Sequence, residues 1–264
     1  MQRSITVGLG LAALCLAANT AAAQDSENFT WKGDLGARRT IYLRNVNGDV
    51  RIEQGSGRSV EVSAVKRWRR GDPDDVRIEA RITTSGDVII CALFRDGASC
   101  DEDGYHGGRN RDRGWRDDND VSVEFTVKIP SDARVDASTV NGELMIDGTS
   151  GEIRARTTNG DVEALSAGGR VDASTVNGSI TVRTSAPTTE GLEYQTVNGS
   201  ITIEMPAGAN AEVDLRTVNG RISSDFPMTL DGTINPRRIR ASIGSGGPSL
   251  RASTVNGSIR IRKL

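Results

Sequence analysis

The side chains with the potential for chemistry fall into a few groups, and each has a plain alternative. Asp49, Glu143 and Asp161 share one recurring position, two residues after an asparagine. Two carboxylates facing one cleft are what glycoside hydrolysis needs. Later repeats carry Ser179, Ser200, Arg221 and Ser258 at that position, so solvated turn residues are the simpler reading. A Ser-His-Asp arrangement would have to use His106, the single histidine, from within a charged loop. Asp101, Glu102 and Asp103, with Asp117, Asp118 and Asp120, offer oxygens for calcium, and Asp101 and Asp103 are the candidates to name. Their spacing is not that of an EF-hand loop, and a solvated acidic loop explains them as well. No cofactor is expected. Cys91, Cys100 and His106 fall short of four zinc ligands, and the Gly244-Ser245-Gly246-Gly247 run precedes a proline and a strand, not the helix of a phosphate loop.

Basic residues suggest a partner instead. Between Gly232 and Leu264 stand Arg237, Arg238, Arg240, Arg251, Arg260, Arg262 and Lys263, with no acidic residue among them. Such an end suits lipid headgroups, lipopolysaccharide or acidic glycan; solubilising charge on a terminal coil is the competing explanation. The run Lys66-Arg67-Trp68-Arg69-Arg70 reads either as a contact patch or as a strand end entering the Gly71-Asp72-Pro73 turn. Nucleic acid is not an expected partner.

The elements that must position these residues come from one repeated phrase. An Asn-Gly pair in a Thr-Val-Asn-Gly-x-Ile setting occurs at Asn47-Gly48, Asn141-Gly142, Asn159-Gly160, Asn177-Gly178, Asn198-Gly199, Asn219-Gly220 and Asn256-Gly257. The central five are spaced 18, 18, 21 and 21 residues apart, the signature of a repeat architecture. Apolar residues recur six and four positions before the Asn (Val171 and Ala173, for example) and three and five after it (Ile180 and Val182). That period of two predicts a pair of short strands with one dry face. Asn and Gly both tolerate positive φ, so the chain is expected to turn there. An antiparallel meander of Asn-Gly hairpins is one solution. A β-solenoid with Asn-Gly at each corner is preferred, because stacked coils give identical columns a physical reason. The Thr column (Thr139, Thr157, Thr175, Thr196, Thr217, Thr254) and the Asn column fit such stacking. One coil alone buries too few side chains to offset the ordering of its backbone.

Composition agrees. Aromatic residues make up only 4% of the 264, glycines number 30, and the formal charge is −2. Residues 1–23 read as a signal peptide: Arg3, an apolar run from Val7 to Ala18, and Ala21-Ala22-Ala23 before cleavage at Gln24. The apolar run is too short to span a membrane, and no later stretch is long enough. Two cysteines remaining in an exported chain predict one disulfide, Cys91–Cys100. Residues 24–35 are expected to be a flexible start, and 39–53 an isolated first repeat. Strands are expected near 58–67, 76–83, 87–94 and 121–129, with a long charged loop over 96–120. The division is thus 1–23 leader, 24–130 N-terminal β portion, and 131–264 regular repeats. Within the last part 225–249 is an interruption, and the final repeat ends the chain.

Those columns, the entry VKIPSDARVDASTVNG and the closing GSGGPSLRASTVNGSIRIRKL resemble the bacterial "putative adhesin" family of exported β-strand-repeat proteins, a domain of unknown function. The resemblance covers about residues 39–264. It implies a β-solenoid and an envelope setting (periplasmic, cell-surface or secreted), and brings no catalytic residues. The expectation is an all-β chain, a parallel β-solenoid of roughly 18–21-residue coils with an irregular N-terminal β portion. Its expected function is non-enzymatic binding of an envelope glycan, lipid or surface protein. The alternatives are a carbohydrate-active β-helix enzyme (lyase or hydrolase) and a periplasmic stress-related scaffold with a protein partner.

Overall fold

Strands that alternate inward apolar and outward polar residues need a facing layer, and each repeat supplies both layers. The computed structural model describes residues 25–108, 119–166, 168–185, 190–232 and 235–264; the expected leader, and Asp117 and Asp118 of the expected charged loop, lie outside them. Among the described residues all regular structure is β apart from one 3-10 turn at Pro73–Asp75. The N-terminal strands are β1 (Asp25–Asp34), β2 (Thr40–Arg44), β3 (Val50–Gln54), β4 (Ser59–Trp68), β5 (Arg77–Ile82), β6 (Val88–Leu93), β7 (Ser99–Cys100), β8 (Tyr105–His106) and β9 (Ser122–Ile129). The repeats continue with β10 (Arg134–Ser138) and β11 (Leu144–Thr149), then β12 (Ile153–Arg156) and β13 (Val162–Ser166). Next come β14 (Val171–Ser174) and β15 (Ile180–Thr184), β16 (Leu192–Asn198) and β17 (Ile201–Met205), and β18 (Ala211–Asn219) and β19 (Ile222–Ser224). The chain closes with β20 (Met228–Leu230), β21 (Arg238–Ile243), β22 (Ser249–Asn256) and β23 (Ile259–Lys263).

The two strands of each repeat never pair with each other. One large sheet runs β1-β4-β9-β3-β11-β13-β15-β17-β23-β19 and the other β20-β21-β18-β22-β16-β14-β12-β10-β2-β6-β5, while β7 and β8 pair apart as a small hairpin. Each Asn-Gly corner carries the chain from the second sheet to the first, and equivalent strands stack in parallel, as in Val162↔Ile180 and Ile153↔Val171. This excludes the hairpin meander and is consistent with stacked coils. The inward columns fill the space between the sheets: Ile41, Ile153, Val171, Ala155, Ile180 and Ile203 are all fully buried. Tyr194 stands in a column where its neighbours Ala173 and Ala252 are small, so one ring occupies room that the alanines leave.

Two features depart from the sequence expectation. Residues 25–34 are not a flexible start but strand β1, paired antiparallel with β4 along its whole length, with Phe29 and Trp31 packed against the core. Its polar alternate residues hid it. More consequentially, the last repeat does not end the stack. Strand β22 pairs on one side with β16 and on the other with β18, and β23 likewise lies between β17 and β19. The coil at 249–263 is inserted between the coils at 192–205 and 211–224. Beyond the latter, β21 and β20 extend one sheet antiparallel, and Phe226 is buried over that end. At the other end the first repeat is similarly enclosed: β2 pairs with β6 as well as β10, and β3 with β9 as well as β11.

Candidate functional site

The corners form three side-by-side ladders. Inside, each threonine hydroxyl donates to the glycine carbonyl of the adjacent coil: Thr157 to Gly142 (3.1 Å), Thr175 to Gly160 (3.0 Å), Thr196 to Gly178 (2.8 Å), Thr254 to Gly199 (2.9 Å) and Thr217 to Gly257 (2.8 Å). These hydroxyls are buried, so each needs that partner. Thr139 reaches Gly48 at 3.3 Å, and in the first repeat Asn45 takes the threonine's place, donating to the Gly48 and Val123 carbonyls.

Along the exposed edge the asparagine amides form a directed chain. Asn159 donates to Asn141, Asn177 to Asn159, Asn198 to Asn177 and Asn256 to Asn198 (each 2.8 Å), and Asn219 to Asn256 (2.9 Å). Asn47 at one end donates to the Val121 carbonyl. The order of this chain repeats the spatial order of the coils, with Asn256 between Asn198 and Asn219. The structure corrects the reason for the asparagines: none has positive φ, since Arg38 alone among described non-glycine residues does. They are present for their side chains. The glycines are required by stacking. A Cβ on Gly160 would overlap the Gly142 carbonyl, and one on Gly178 the Gly160 carbonyl.

The third ladder uses the residues first considered for acid-base chemistry. The Asp49 carboxylate accepts from the Glu143 amide (2.9 Å) and Asp161 from the Ser179 amide (2.7 Å). Ser179, Ser200 and Ser258 hydroxyls accept from the amides of Ser200, Ser258 and Arg221 (3.2–3.3 Å). Just before five of the seven asparagines, Val140, Val176, Val197, Val255 and Val218 are exposed. At a strand spacing of about 4.8 Å this makes a straight Val-Asn edge.

The basic residues at 237–263 do not form one patch. Period-two alternation places Arg238, Arg240 and Arg251 on the outer face of the sheet containing β22, while Arg260 and Arg262 project from the other sheet. Lys263 sits over the Phe226 ring. The Arg237 amide closes the Asn235 turn. On the first of these faces, strand register builds a grid four strands wide. One row reads Arg240, Asp214, Arg251, Glu193; the next reads Arg238, Arg216, Ser253, Gln195. Ser253 is the small member, and a groove of about 370 Å³ opens around it, lined by Arg216, Arg240, Arg251, Asp214, Glu193 and Gln195 among others.

Within the grid Asp214 organises the cations. Arg216 grips it with two hydrogen bonds (3.0 and 2.6 Å), with Arg240 at 3.5 Å and Arg238 at 3.7 Å. The Arg216 hydrogen bond, followed by the charges of Arg216, Arg238 and Arg240, holds the Asp214 carboxyl below the usual carboxylate range. Gln195 donates to Glu193 at 2.6 Å. The Arg251 guanidinium has no partner among the described residues. Sequence reading missed Arg216, which lies in an earlier coil: β21 sets Arg238 beside it, and the inserted last coil sets Ser253 on its other side.

Elsewhere the polar groups have structural partners. Arg44 forms a buried pair with Asp136 (2.8 Å) and donates to the Glu102 carbonyl. Glu102 belongs to a flap over 95–106 that covers the outer face of β6. A disulfide joins Cys91 to Cys100, and Ile89, Leu93 and Ala98 pack around it with Tyr42 and Tyr105. The calcium candidate Asp101 receives the His106 ring (2.9 Å) and the amides of Asp103 and Gly104. His106 and then those amides hold its carboxyl low. Among the described residues no three metal-ligating side chains gather, and Asp103 joins no cluster. The arginine-tryptophan run ends at a corner where Asp120 accepts from the amides of Gly71, Arg69 and Arg70. A second hollow, of about 420 Å³, lies by Trp31, with Lys32 and Glu61 on its wall paired at 2.7 Å. No helix among the described residues is long and apolar enough to cross a membrane.

The sequence pattern of the family described as Toastrack DUF4097 matches residues 38–262. No curated protein matches the sequence. Among solved structures, a putative cell adhesion protein from Clostridium sporogenes is similar with a TM-score of 0.50 at 11% identity, over 91% of this chain and 100% of that one. A putative adhesin from Bacteroides fragilis aligns over 90% of this chain and 97% of its own at 12% identity, with a TM-score of 0.37. At these identities the first likeness speaks for the fold alone.

Proposed function

We propose that this chain, which belongs to the Toastrack DUF4097 family, is an exported, non-enzymatic binding protein, a β-solenoid that presents a repetitive surface to a component of the cell envelope. The observation that carries this reading is the corner edge. Six coils offer the same exposed asparagine amide in one straight row, five of them with an exposed valine beside it. Repetition at about 4.8 Å suits an extended partner gripped at many equivalent weak points. The carboxylates that an enzymatic reading would use are hydrogen-bonded to corner amides of the next coil, at Asp49 and Asp161. The cell adhesion protein from Clostridium sporogenes supports the reading by analogy of name only.

The test is co-sedimentation of the purified protein with envelope fractions, comparing wild type with Val176→Lys, Val197→Lys and Val255→Lys singly and together. An extended binder loses affinity stepwise as substitutions accumulate. The rival reading, a polysaccharide-degrading enzyme, predicts turnover on polysaccharide that vanishes when one carboxylate, Asp49 or Asp161, becomes asparagine. Turnover of that kind, or envelope binding indifferent to all three valines, would overturn the proposal.

A further inference from the structure

We propose that the groove around Ser253 binds the acid groups of an anionic glycan, one carboxylate seating over Ser253 between Arg251, Arg216 and Arg240. This rests on the binding-protein reading and adds to the valine edge a second, separate contact, none of whose lining residues is one of those valines. Three observations carry it. The grid holds four arginines against two carboxylates in a chain whose formal charge is −2, so it is a local reversal of sign. Arg251 lies at its centre, exposed and unpartnered among the described residues, while Asp214 fixes the Arg216 fork. A planar guanidinium held in this way presents donors in the geometry a carboxylate accepts. Finally, the depression exists because Ser253 is short where its neighbours are long.

A glycan fits better than a membrane surface. The rest of the lining (Ser253, Gln195, Glu193, Asp214) alternates donors and acceptors suited to sugar hydroxyls. No exposed large apolar side chain stands on the grid to enter a bilayer. Register also keeps the groove flat and open along the sheet, so a linear chain can lie across several strands.

The experiment is titration of the purified protein with oligogalacturonate, its methyl ester, and vesicles of phosphatidylglycerol in phosphatidylcholine. Wild type should bind the acid oligomer, more weakly at high salt, and not the ester. Arg251→Gln should weaken binding about tenfold or more, the loss expected of a charge-assisted hydrogen bond. Ser253→Leu, which fills the groove without changing charge, should abolish it. Arg260→Gln with Arg262→Gln, on the opposite face, should bind as wild type. Circular dichroism of each variant confirms folding.

Failure of wild type to bind the acid oligomer, or unaltered binding by Ser253→Leu, overturns the inference. So does binding to vesicles alone with the same dependence on Arg251, which assigns the grid to lipid. If wild type still sediments with envelope fractions through the valine edge, the binding-protein reading survives that failure; if it does not, both fall.

Discussion

Gly178→Ala separates two explanations of the Asn-Gly corners. If the glycine served only the turn, alanine would be neutral or slightly stabilising here, because Gly178 is not among the positive-φ glycines, and glycine-to-alanine at a compatible backbone gains about 0.4–1 kcal/mol. Stacking predicts a loss. A Cβ at Gly178 would overlap the Gly160 carbonyl, backbone against backbone, which no rotamer change relieves. The coils must part locally. Two hydrogen bonds across that seam are at stake: Gly160 amide to Asn177 carbonyl (3.0 Å) and Thr175 hydroxyl to Gly160 carbonyl (3.0 Å). At about 0.5–1.5 kcal/mol each, with about 1–3 kcal/mol of overpacking, the loss is about 2–6 kcal/mol. Urea unfolding followed by far-ultraviolet circular dichroism measures it. Gly208→Ala, where a Cβ meets nothing within 4 Å, is the control and should change stability by less than about 0.5 kcal/mol. A loss below about 1 kcal/mol at Gly178 would refute the stacking argument.

Three further outcomes follow from the same physics. Tyr194 is fully buried, its hydroxyl without a partner among the described residues, and burial pushes its phenol well above the ordinary range. Tyr194→Phe should therefore be neutral or stabilising by about 1–2 kcal/mol in urea titration, whereas Tyr194→Ala should cost about 3–5 kcal/mol; a clear loss in the phenylalanine variant would mean the hydroxyl has a partner. Reduction of Cys91–Cys100, nine residues apart, should lower stability by about 2–3 kcal/mol and raise dye binding as the flap frees Ile89 and Leu93; an unchanged thermal midpoint would contradict the tether. The depressed Asp214 and Asp101 carboxyls contribute stability that is present above about pH 4 and lost as pH falls through their lower folded values. Carboxyl chemical shifts followed through acid titration should place both midpoints below those of the unfolded chain, and higher midpoints would contradict the pairing.

Much of this architecture is legible in the residues because stacking writes itself into columns. The alternation around Val171, Ala173, Ile180 and Val182 gives two strands with one dry face, and a threonine that must be satisfied when buried explains its own recurrence. Coil order is not legible. Leu192, Leu250 and Val213 are interchangeable in their column, and Asn198, Asn256 and Asn219 can ladder in any sequence, so the columns do not reveal that the last coil is inserted. That one fact also hid the grid: Arg216 and Arg251 are far apart in the chain, and alternation sends Arg260 and Arg262 to the opposite face. Strand β1 escaped notice because only Phe29 and Trp31 carry its inward signal, against exposed polar neighbours.

Cysteine cross-linking reads the order in which the coils stack. Gln195 and Arg216 both lie opposite Ser253, on the two strands flanking it. Cysteine pairs at Gln195 with Ser253, and at Arg216 with Ser253, should each form an intramolecular disulfide under mild oxidation. A pair at Gln195 with Arg216, two strands apart at about 10 Å, should not. Efficient coupling of Gln195→Cys to Arg216→Cys, without coupling of Gln195→Cys to Ser253→Cys, would mean that the coils stack in chain order and that the final repeat ends the molecule.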